Sequence, residues 1–437
     1  MFPPSTEDDS SRQSRRKFMG VVAAGSAAGL AGCGGSDATP TMTATDEPTD
    51  SPTPMPTETE TDTATPEPPA PDVPILNYAL TLEHLENAFY RDGLDEFSDD
   101  ELMNADALSK FNETVRMQVP EYLRTVGAHE KGHVNALSAT VEELNGDPVM
   151  EGDYDFGYNT PSEFLGVAKA LEDTGVAAYA GAAPKIVNNN LLTVAAGIHS
   201  VEARHAAFLR LANDDVPFPN GADKAKSVDE VLDIASNFII SQVDPSVYEL
   251  AEERPQHDRK AENDTDDINV LNYALTLEHL ENAFYRDGLA QYSDDELMNA
   301  DVLSEYDSGI RQKVPGHLEN VGSHEAAHVK GITDTINNLG GDPVQEANYD
   351  FGYSNPSEFL GVAKALENTG VAAYKGAAGT VTADAVFNAA ISIHSVEARH
   401  ASFLNELNVT SPFPDAVDKP KTMEEVTEIA SQFIVEE

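Results

Sequence analysis

The chain has 437 residues, enough for two or three domains, and 76 acidic against 27 basic residues give a formal net charge of −49 at pH 7. Such a surface repels polyanions, which excludes nucleic acid as a partner. Because 40% of the residues are hydrophobic, the chain is not simply a disordered acidic polymer. Its single cysteine excludes an intramolecular disulfide.

Residues 1–33 are predicted to be a targeting signal. Arg15 and Arg16 form a twin-arginine pair, and the apolar run that follows at 18–31 is too short and glycine-rich for a membrane span. The run ends in LAGC, which resembles a lipobox, so we expect Cys33 to carry a lipid. The mature protein is therefore predicted to be exported and anchored to the outer face of the cytoplasmic membrane as a lipoprotein.

Residues 34–72 are predicted to form a disordered stalk, because they are rich in Thr, Pro and Glu and have almost no apolar side chains. The acidic surface together with the twin-arginine signal resembles the style of haloarchaeal proteins, which stay soluble in concentrated salt.

The remainder is a tandem repeat. LNYALTLEHLENAFYRDGL, YDFGY and PSEFLGVAKALE each recur 195 residues later. This spacing predicts two domains of one fold at 73–242 and 268–437. A charged, proline-containing segment at 243–267 reads as an acidic linker between them.

Each repeat is predicted to be all-α, with four long helices and a short fifth. In the first repeat the long helices are expected at 73–91, at 120–144 or from an earlier start, from 161, and at 190–212. Thr160 and Ser227 are predicted to cap the third and fifth helices in capping boxes with Glu163 and Glu230. The connection at 145–160 is long enough to cross the whole bundle, which predicts two hairpins joined by a crossover.

All four long helices place polar residues within their apolar stripes. The second and fourth helices each carry Glu-x-x-His there, and the first and third each carry one Glu followed by a Tyr two turns later. A buried carboxylate needs a proton, a partner or a metal. The residues concerned are Glu83, Tyr90, Glu130, His133, Glu172, Tyr179, Glu202 and His205.

This arrangement resembles the dinuclear carboxylate site of ferritin-like four-helix bundles. Both repeats are similar to that superfamily, close to its desiccation- and stress-related branch. The resemblance implies that Glu130 and Glu202 bridge two metals, that Glu83 and Glu172 bind one metal each, and that His133 and His205 do likewise. The corresponding ligands of the second repeat are Glu278, Glu325, His328, Glu367, Glu397 and His400.

The tyrosines are expected to bond to ligating carboxylates across the bundle; in the second repeat they are Tyr285 and Tyr374. Four carboxylates and two neutral imidazoles balance two divalent cations per repeat. Oxygen and nitrogen donors suit iron, the favoured metal, or manganese.

Glu86, and with it Glu281 in the second repeat, leaves two alternatives open. It falls in the stripe of the first helix but corresponds to Gly175 on the third, so it is either an additional ligand or bonds to a neighbour. His129 and His199 lie at the edges of their stripes and are not expected to be ligands. A metal-free core of Glu–His pairs is the alternative to the whole site.

The resemblance implies redox chemistry with Fe(II) and oxygen or peroxide, in protection of the cell envelope against stress. The alternatives are peroxide disproportionation, as in manganese catalases, and a non-catalytic surface module. Besides these small molecules, the expected partner is the membrane, through the lipid on Cys33. Fusion of two similar domains also predicts an internal pseudo-dimer.

Overall fold

The computed structural model of the protein describes residues 68–241, Ala251 and residues 264–435. The predicted targeting signal with Cys33, the stalk up to residue 67 and most of the predicted linker lie outside the described residues. No helix in the described ranges combines the length and the apolar character that crossing a membrane requires.

The first repeat contains four long helices: α1 (Val73–Glu96), α2 (Glu113–Glu143), α3 (Pro161–Ala182) and α4 (Asn189–Ala212). Short helices cover Asp99–Met103 and Val228–Ala235, and 3₁₀ turns cover Asp106–Leu108 and Ala183–Lys185. The second repeat follows the same order, with α5 (Asp264–Gln291), α6 (Val314–Asn338), α7 (Pro356–Ala377) and α8 (Asp384–Leu407). Its shorter elements are Asp294–Met298, the 3₁₀ turn Asp301–Leu303, Ser308–Arg311 and Met423–Ser431. The predicted all-α fold in two copies is confirmed.

The helix starts agree with the prediction in part. Helix α2 takes the earlier of the two starts left open: it begins at Glu113, because the Asn112 side chain accepts a hydrogen bond from the Val115 amide. Helix α3 is capped by Thr160 as predicted, but Glu163 accepts from the Asn159 amide instead of completing the capping box. Helix α5 begins at Asp264, inside the predicted linker.

Each bundle consists of two helical hairpins joined by a long crossover. In the first repeat α1 packs mainly against α2 and α3 against α4. The crossover is held to the bundle by Asn77, whose side chain bonds to Asp147 O and to the Val149 amide. The YDFGY segment packs there too, with the Phe156 ring 5.1 Å from Phe89. This topology sets the acidic stripes of α1 and α3 opposite the Glu-x-x-His stripes of α2 and α4.

The two repeats contact each other along α4 and α8. Small side chains, among them Ala203 and Ala398, form a buried cluster that allows close packing. Arg204, which the helical wheel places outside the apolar stripe, is only 2% exposed because the second repeat covers it. His199, expected at the edge of its stripe, is also covered by the second repeat: its ring is fully buried, 5.9 Å from that of His394.

A cavity of about 500 Å³ lies where the two repeats meet. Its lining is mostly apolar and includes Val115 and Phe208 from the first repeat and Ile310 and Phe403 from the second. Glu406 is an acidic group in this lining. Burial raises the pKa of Glu406 to about 7, from an ordinary value of 4.5.

Replacing Glu406 with glutamine is expected to stabilise the protein at alkaline pH. The folded protein keeps this carboxyl neutral below about pH 7, whereas the unfolded chain ionises it above 4.5. The contribution of the neutral Glu406 carboxyl to the free energy of unfolding is therefore complete below pH 4.5 and is lost as the pH rises through 7. Glu406→Gln should match the wild type near pH 5 and exceed its free energy of unfolding by up to about 3 kcal/mol at pH 8. Denaturant unfolding at both pH values measures this, with the exposed Glu143→Gln as control; equal stabilities of wild type and Glu406→Gln at pH 8 would contradict it.

Candidate metal centres

Three carboxylates surround the imidazole of His133 in the middle of the first bundle. His133 Nδ1 lies 3.1 Å from Glu83 Oε2, 3.2 Å from Glu130 Oε2 and 3.2 Å from Glu202 Oε1. All four side chains are fully buried. They come from α1, α2 and α4, so three helices converge on one point.

His205 contacts a second set of carboxylates in the same bundle. Its Nδ1 lies 3.1 Å from Glu130 Oε1 and 3.2 Å from Glu172 Oε2. These side chains are also fully buried. Glu172 comes from α3, so the fourth helix contributes as well.

The two halves share their central carboxylates. Glu83, Glu130, His133 and Glu202 form one group whose potential ligand atoms all lie within 4.8 Å of one another, and Glu130, Glu172, Glu202 and His205 form a second. Glu130 and Glu202 belong to both groups, so the two groups are adjacent and share two carboxylates. The structure thus brings together all six predicted ligands of the first repeat.

The second repeat reproduces the arrangement. His328 Nδ1 lies 3.1–3.2 Å from oxygens of Glu278, Glu325 and Glu397. His400 Nδ1 lies 3.1 Å from Glu325 Oε1 and 3.2 Å from Glu367 Oε2. The two four-residue groups again share two carboxylates, here Glu325 and Glu397.

Hydrogen bonding alone does not satisfy this cluster. One imidazole nitrogen carries at most one proton, so His133 Nδ1 cannot donate to three carboxylates at once. Neither oxygen of Glu202 accepts a well-formed hydrogen bond from any described residue, although both are buried. Ligand atoms bound at about 2.1 Å around one cation lie about 3.0–3.4 Å apart. The observed spacings fit a cation, and the donor set suits a hard or borderline divalent metal.

Protons carry the compensating charge when no metal is bound. Burial opposes protonation of His205, but Glu172 and Glu130 outweigh it and raise the pKa of His205 to about 9. Burial and the charges of Glu130 and Glu172 raise the pKa of Glu202 well above its ordinary range. Burial also raises the pKa of Glu83 to about 7. A cation entering the site therefore displaces protons, so its affinity should increase with pH.

The predicted tyrosines lie next to the carboxylates. The Tyr90 hydroxyl donates to Glu172 Oε1 at 2.5 Å, and the Tyr179 hydroxyl donates to Glu83. The same contacts recur in the second repeat, where Tyr285 donates to Glu367 and Tyr374 to Glu278. Each hydrogen bond joins α1 to α3, or α5 to α7. It holds one carboxylate by its Oε1 atom, while the Oε2 atom faces a histidine.

The outward-facing nitrogens of the two histidines have partners that the sequence did not reveal. His205 Nε2 lies 3.0 Å from Nδ1 of His129, a residue expected only at the edge of its stripe. Burial and the neighbouring His205 lower the pKa of His129 to about 3, so His129 is neutral and its Nδ1 accepts a hydrogen bond from the Nε2–H of His205. His133 Nε2 donates to the backbone carbonyl of Ala416, 2.7 Å away in the second repeat. Both contacts turn Nδ1 toward the carboxylates.

Glu86 lies beside the cluster, outside both four-residue groups. A Cβ atom at Gly175 would be 3.1 Å from Glu86 Oε1 and 3.1 Å from Glu202 Oε2. The glycine therefore leaves space for a fifth carboxylate next to Glu202. In the second repeat Gly370 has the same relation to Glu281 and Glu397, at 3.2 Å from each.

The four-helix topology, its crossover and the paired carboxylate–histidine groups together define a ferritin-like domain. The family model for the ferritin-like domain matches the chain twice, at residues 71–214 and 266–409. These matches cover more than half of the sequence, and the chain belongs to the ferritin-like domain family as a tandem member. A comparison with the curated proteins returned no match.

Proposed function

We propose that each repeat holds two divalent metal ions and that the protein is an oxidoreductase of the ferroxidase type. Glu130 and Glu202 would bridge the ions, Glu83 with His133 would hold one, and Glu172 with His205 the other. Iron is the favoured metal, and manganese is compatible with the same donors.

The sharing of Glu130 and Glu202 between two four-donor groups carries this proposal. A single structural ion would need only one of these groups, whereas the site offers four carboxylates and two imidazoles. The four negative charges match two divalent cations, which relieves the cost of burying them. Two neighbouring redox-active ions can exchange two electrons with one oxidant.

The reaction we propose takes Fe(II) as reductant and oxygen or peroxide as oxidant. Two Fe(II) each lose one electron; peroxide takes up both electrons and two protons to give two waters, or oxygen takes them up to give peroxide. The protein side chains contribute by holding the carboxylates and imidazoles in place and by keeping bulk water out of the buried cluster.

We also propose that this chemistry takes place at the outer face of the cytoplasmic membrane, where it would protect the envelope from oxidative or drying stress. This part rests on the twin-arginine pair and the lipobox ending in Cys33. The stalk that follows would hold the bundles away from the lipid. The intact mass of protein extracted from membranes tests the lipid attachment.

The central test is anaerobic loading of metal-free protein with Fe(II), followed by addition of peroxide or air. We expect four ions per chain, consumption of the oxidant and the absorbance of Fe(III). Protein with Glu130→Ala and Glu202→Ala in repeat 1 and Glu325→Ala and Glu397→Ala in repeat 2 is the control. Oxygen release from peroxide by manganese-loaded protein, without net Fe(II) oxidation, would instead indicate catalase-like disproportionation. A wild type that binds neither iron nor manganese would leave only a metal-free module.

A further inference from the structure

A Pro-Phe-Pro segment follows the fourth long helix in each repeat. In the first repeat it stands at 217–219, within residues 213–226, which we call the first arm. In the second repeat it stands at 412–414, within residues 408–421, the second arm. Proline on both sides restricts the backbone, so the central phenylalanine is presented in a fixed direction. Both phenylalanines are fully buried.

The second arm lies on the carboxylate–histidine cluster of the first repeat. The Phe413 ring packs edge-on against His205, with centroids 5.0 Å apart, and lies 5.9 Å from His129. Three residues further on, the Ala416 carbonyl accepts the hydrogen bond from His133 Nε2. Phe413 accordingly belongs to the hydrophobic core of the first repeat.

The first arm lies on the cluster of the second repeat in the same way. The Phe218 ring is 4.9 Å from His400 and 6.0 Å from His324. The Gly221 carbonyl accepts a hydrogen bond from His328 Nε2 at 2.6 Å. Phe218 belongs to the core of the second repeat, so the exchange of arms is reciprocal.

Buried ion pairs anchor both arms on the opposite repeat. Arg204 of α4 bonds to Asp418 of the second arm at 2.7 Å, and Arg399 of α8 bonds to Asp223 of the first arm at 2.7 Å. The backbone amide of Asp418 also donates to Gly197 O. Both arginines are only 2% exposed, so the anchors lie inside the contact between the repeats.

We propose that each metal centre is completed in trans, because the arm of one repeat closes and orients the site of the other. The Ala416 and Gly221 carbonyls hold His133 and His328 with Nδ1 toward the carboxylates, and Phe413 and Phe218 shield the second histidine of each site. These arm residues are positioning residues. That the arms support metal binding rests on the proposed function. That each arm covers the histidines of the opposite repeat holds for the metal-free protein as well.

The test uses the full chain with one site disabled at a time. Glu325→Ala with Glu397→Ala leaves only the first site, and Glu130→Ala with Glu202→Ala leaves only the second. Phe413→Ala or Phe218→Ala is then added to each background. Phe413→Leu and Phe218→Leu provide milder versions should the alanine variants fold poorly. Two readouts are taken: Mn(II) affinity by chelator competition, and the imidazole ¹⁵N resonances of the metal-free protein.

We expect Phe413→Ala to weaken Mn(II) binding at the first site by about 10-fold or more and to leave the second site unchanged, with the reverse for Phe218→Ala. In metal-free protein Phe413→Ala should shift the resonances of His129, His133 and His205. Phe218→Ala should shift those of His324, His328 and His400. Effects confined to the repeat that carries the substitution, or equal effects on both sites, would overturn the proposal. If each substitution shifts the histidine resonances of the opposite repeat but the protein binds no Mn(II), the covering of each site by the opposite arm is supported. In that case only the proposed function is contradicted.

Discussion

Replacing Asp418 with alanine is expected to lower the free energy of unfolding by about 3–5 kcal/mol, because it leaves the guanidinium of Arg204 buried without a carboxylate. Among the described residues, the other side-chain partner of Arg204 is Asn368, whose amide oxygen lies 3.1 Å from Arg204 Nη2. The pseudo-symmetric change Asp223→Ala should cost less, about 1–3 kcal/mol. There Arg399 keeps an ion pair with Asp173 at 3.1 Å. Denaturant unfolding at one fixed salt concentration compares the two variants.

A rescue variant separates this electrostatic explanation from a general loosening of the second arm. Position 368 is Asn where the first repeat has Asp173. Adding Asn368→Asp to Asp418→Ala supplies a carboxylate to Arg204 and should restore part of the lost stability. Equal losses for Asp418→Ala and Asp223→Ala, or no recovery with Asn368→Asp, would show that the asymmetry of the two anchors has no energetic effect.

We propose that Glu202 bridges the two ions of the first repeat, and its replacement with alanine is then expected to remove both of them. The number of tightly bound ions per chain should fall from four to two, whereas Glu83→Ala should remove only the ion that Glu83 shares with His133. The difference arises because Glu202 belongs to both four-donor groups and Glu83 to one. Elemental analysis after Mn(II) loading and gel filtration measures the count.

Stability measurements provide the matched control for this prediction. A ligand that binds only the folded state raises the melting temperature by mass action, so Glu202→Ala should reduce the shift that Mn(II) causes. Glu143→Ala changes an exposed glutamate on α2 and should leave both the ion count and the shift as in the wild type. Loss of a single ion in Glu202→Ala would argue against a bridging position.

The fold and the residues of the cluster could be predicted from local sequence patterns. Glu202 and His205 lie three residues apart within an apolar stripe, and the helical repeat alone places them on the inner face of α4. The match of this pair with Glu130 and His133 then points to α2 as a facing helix. Such arguments work because helix periodicity and hairpin length are short-range properties of the chain.

The contacts between the repeats could not be predicted in this way. A helical wheel shows only which side of a helix faces its own bundle. It therefore places Arg204 outside the apolar stripe, although the second repeat buries that side of α4. Both Pro-Phe-Pro segments can be read in the sequence. Because the two repeats are nearly identical, however, the sequence does not show whether each segment covers the cluster of its own repeat or that of the other. Only the three-dimensional arrangement, in which Phe413 meets His205, distinguishes these cases.

The position of the second arm in the chain has a consequence for biosynthesis. Phe413 and Ala416, which cover the first site, come about 200 residues after His205 in the sequence. While the chain is being translated, the first repeat can form its helices, but its cluster lacks this cover until the second arm has been made. The first centre therefore reaches its final form only after the helices of the second repeat have been synthesised, although its own residues are made first. Retention of metal by that centre would then report that the second repeat has been made.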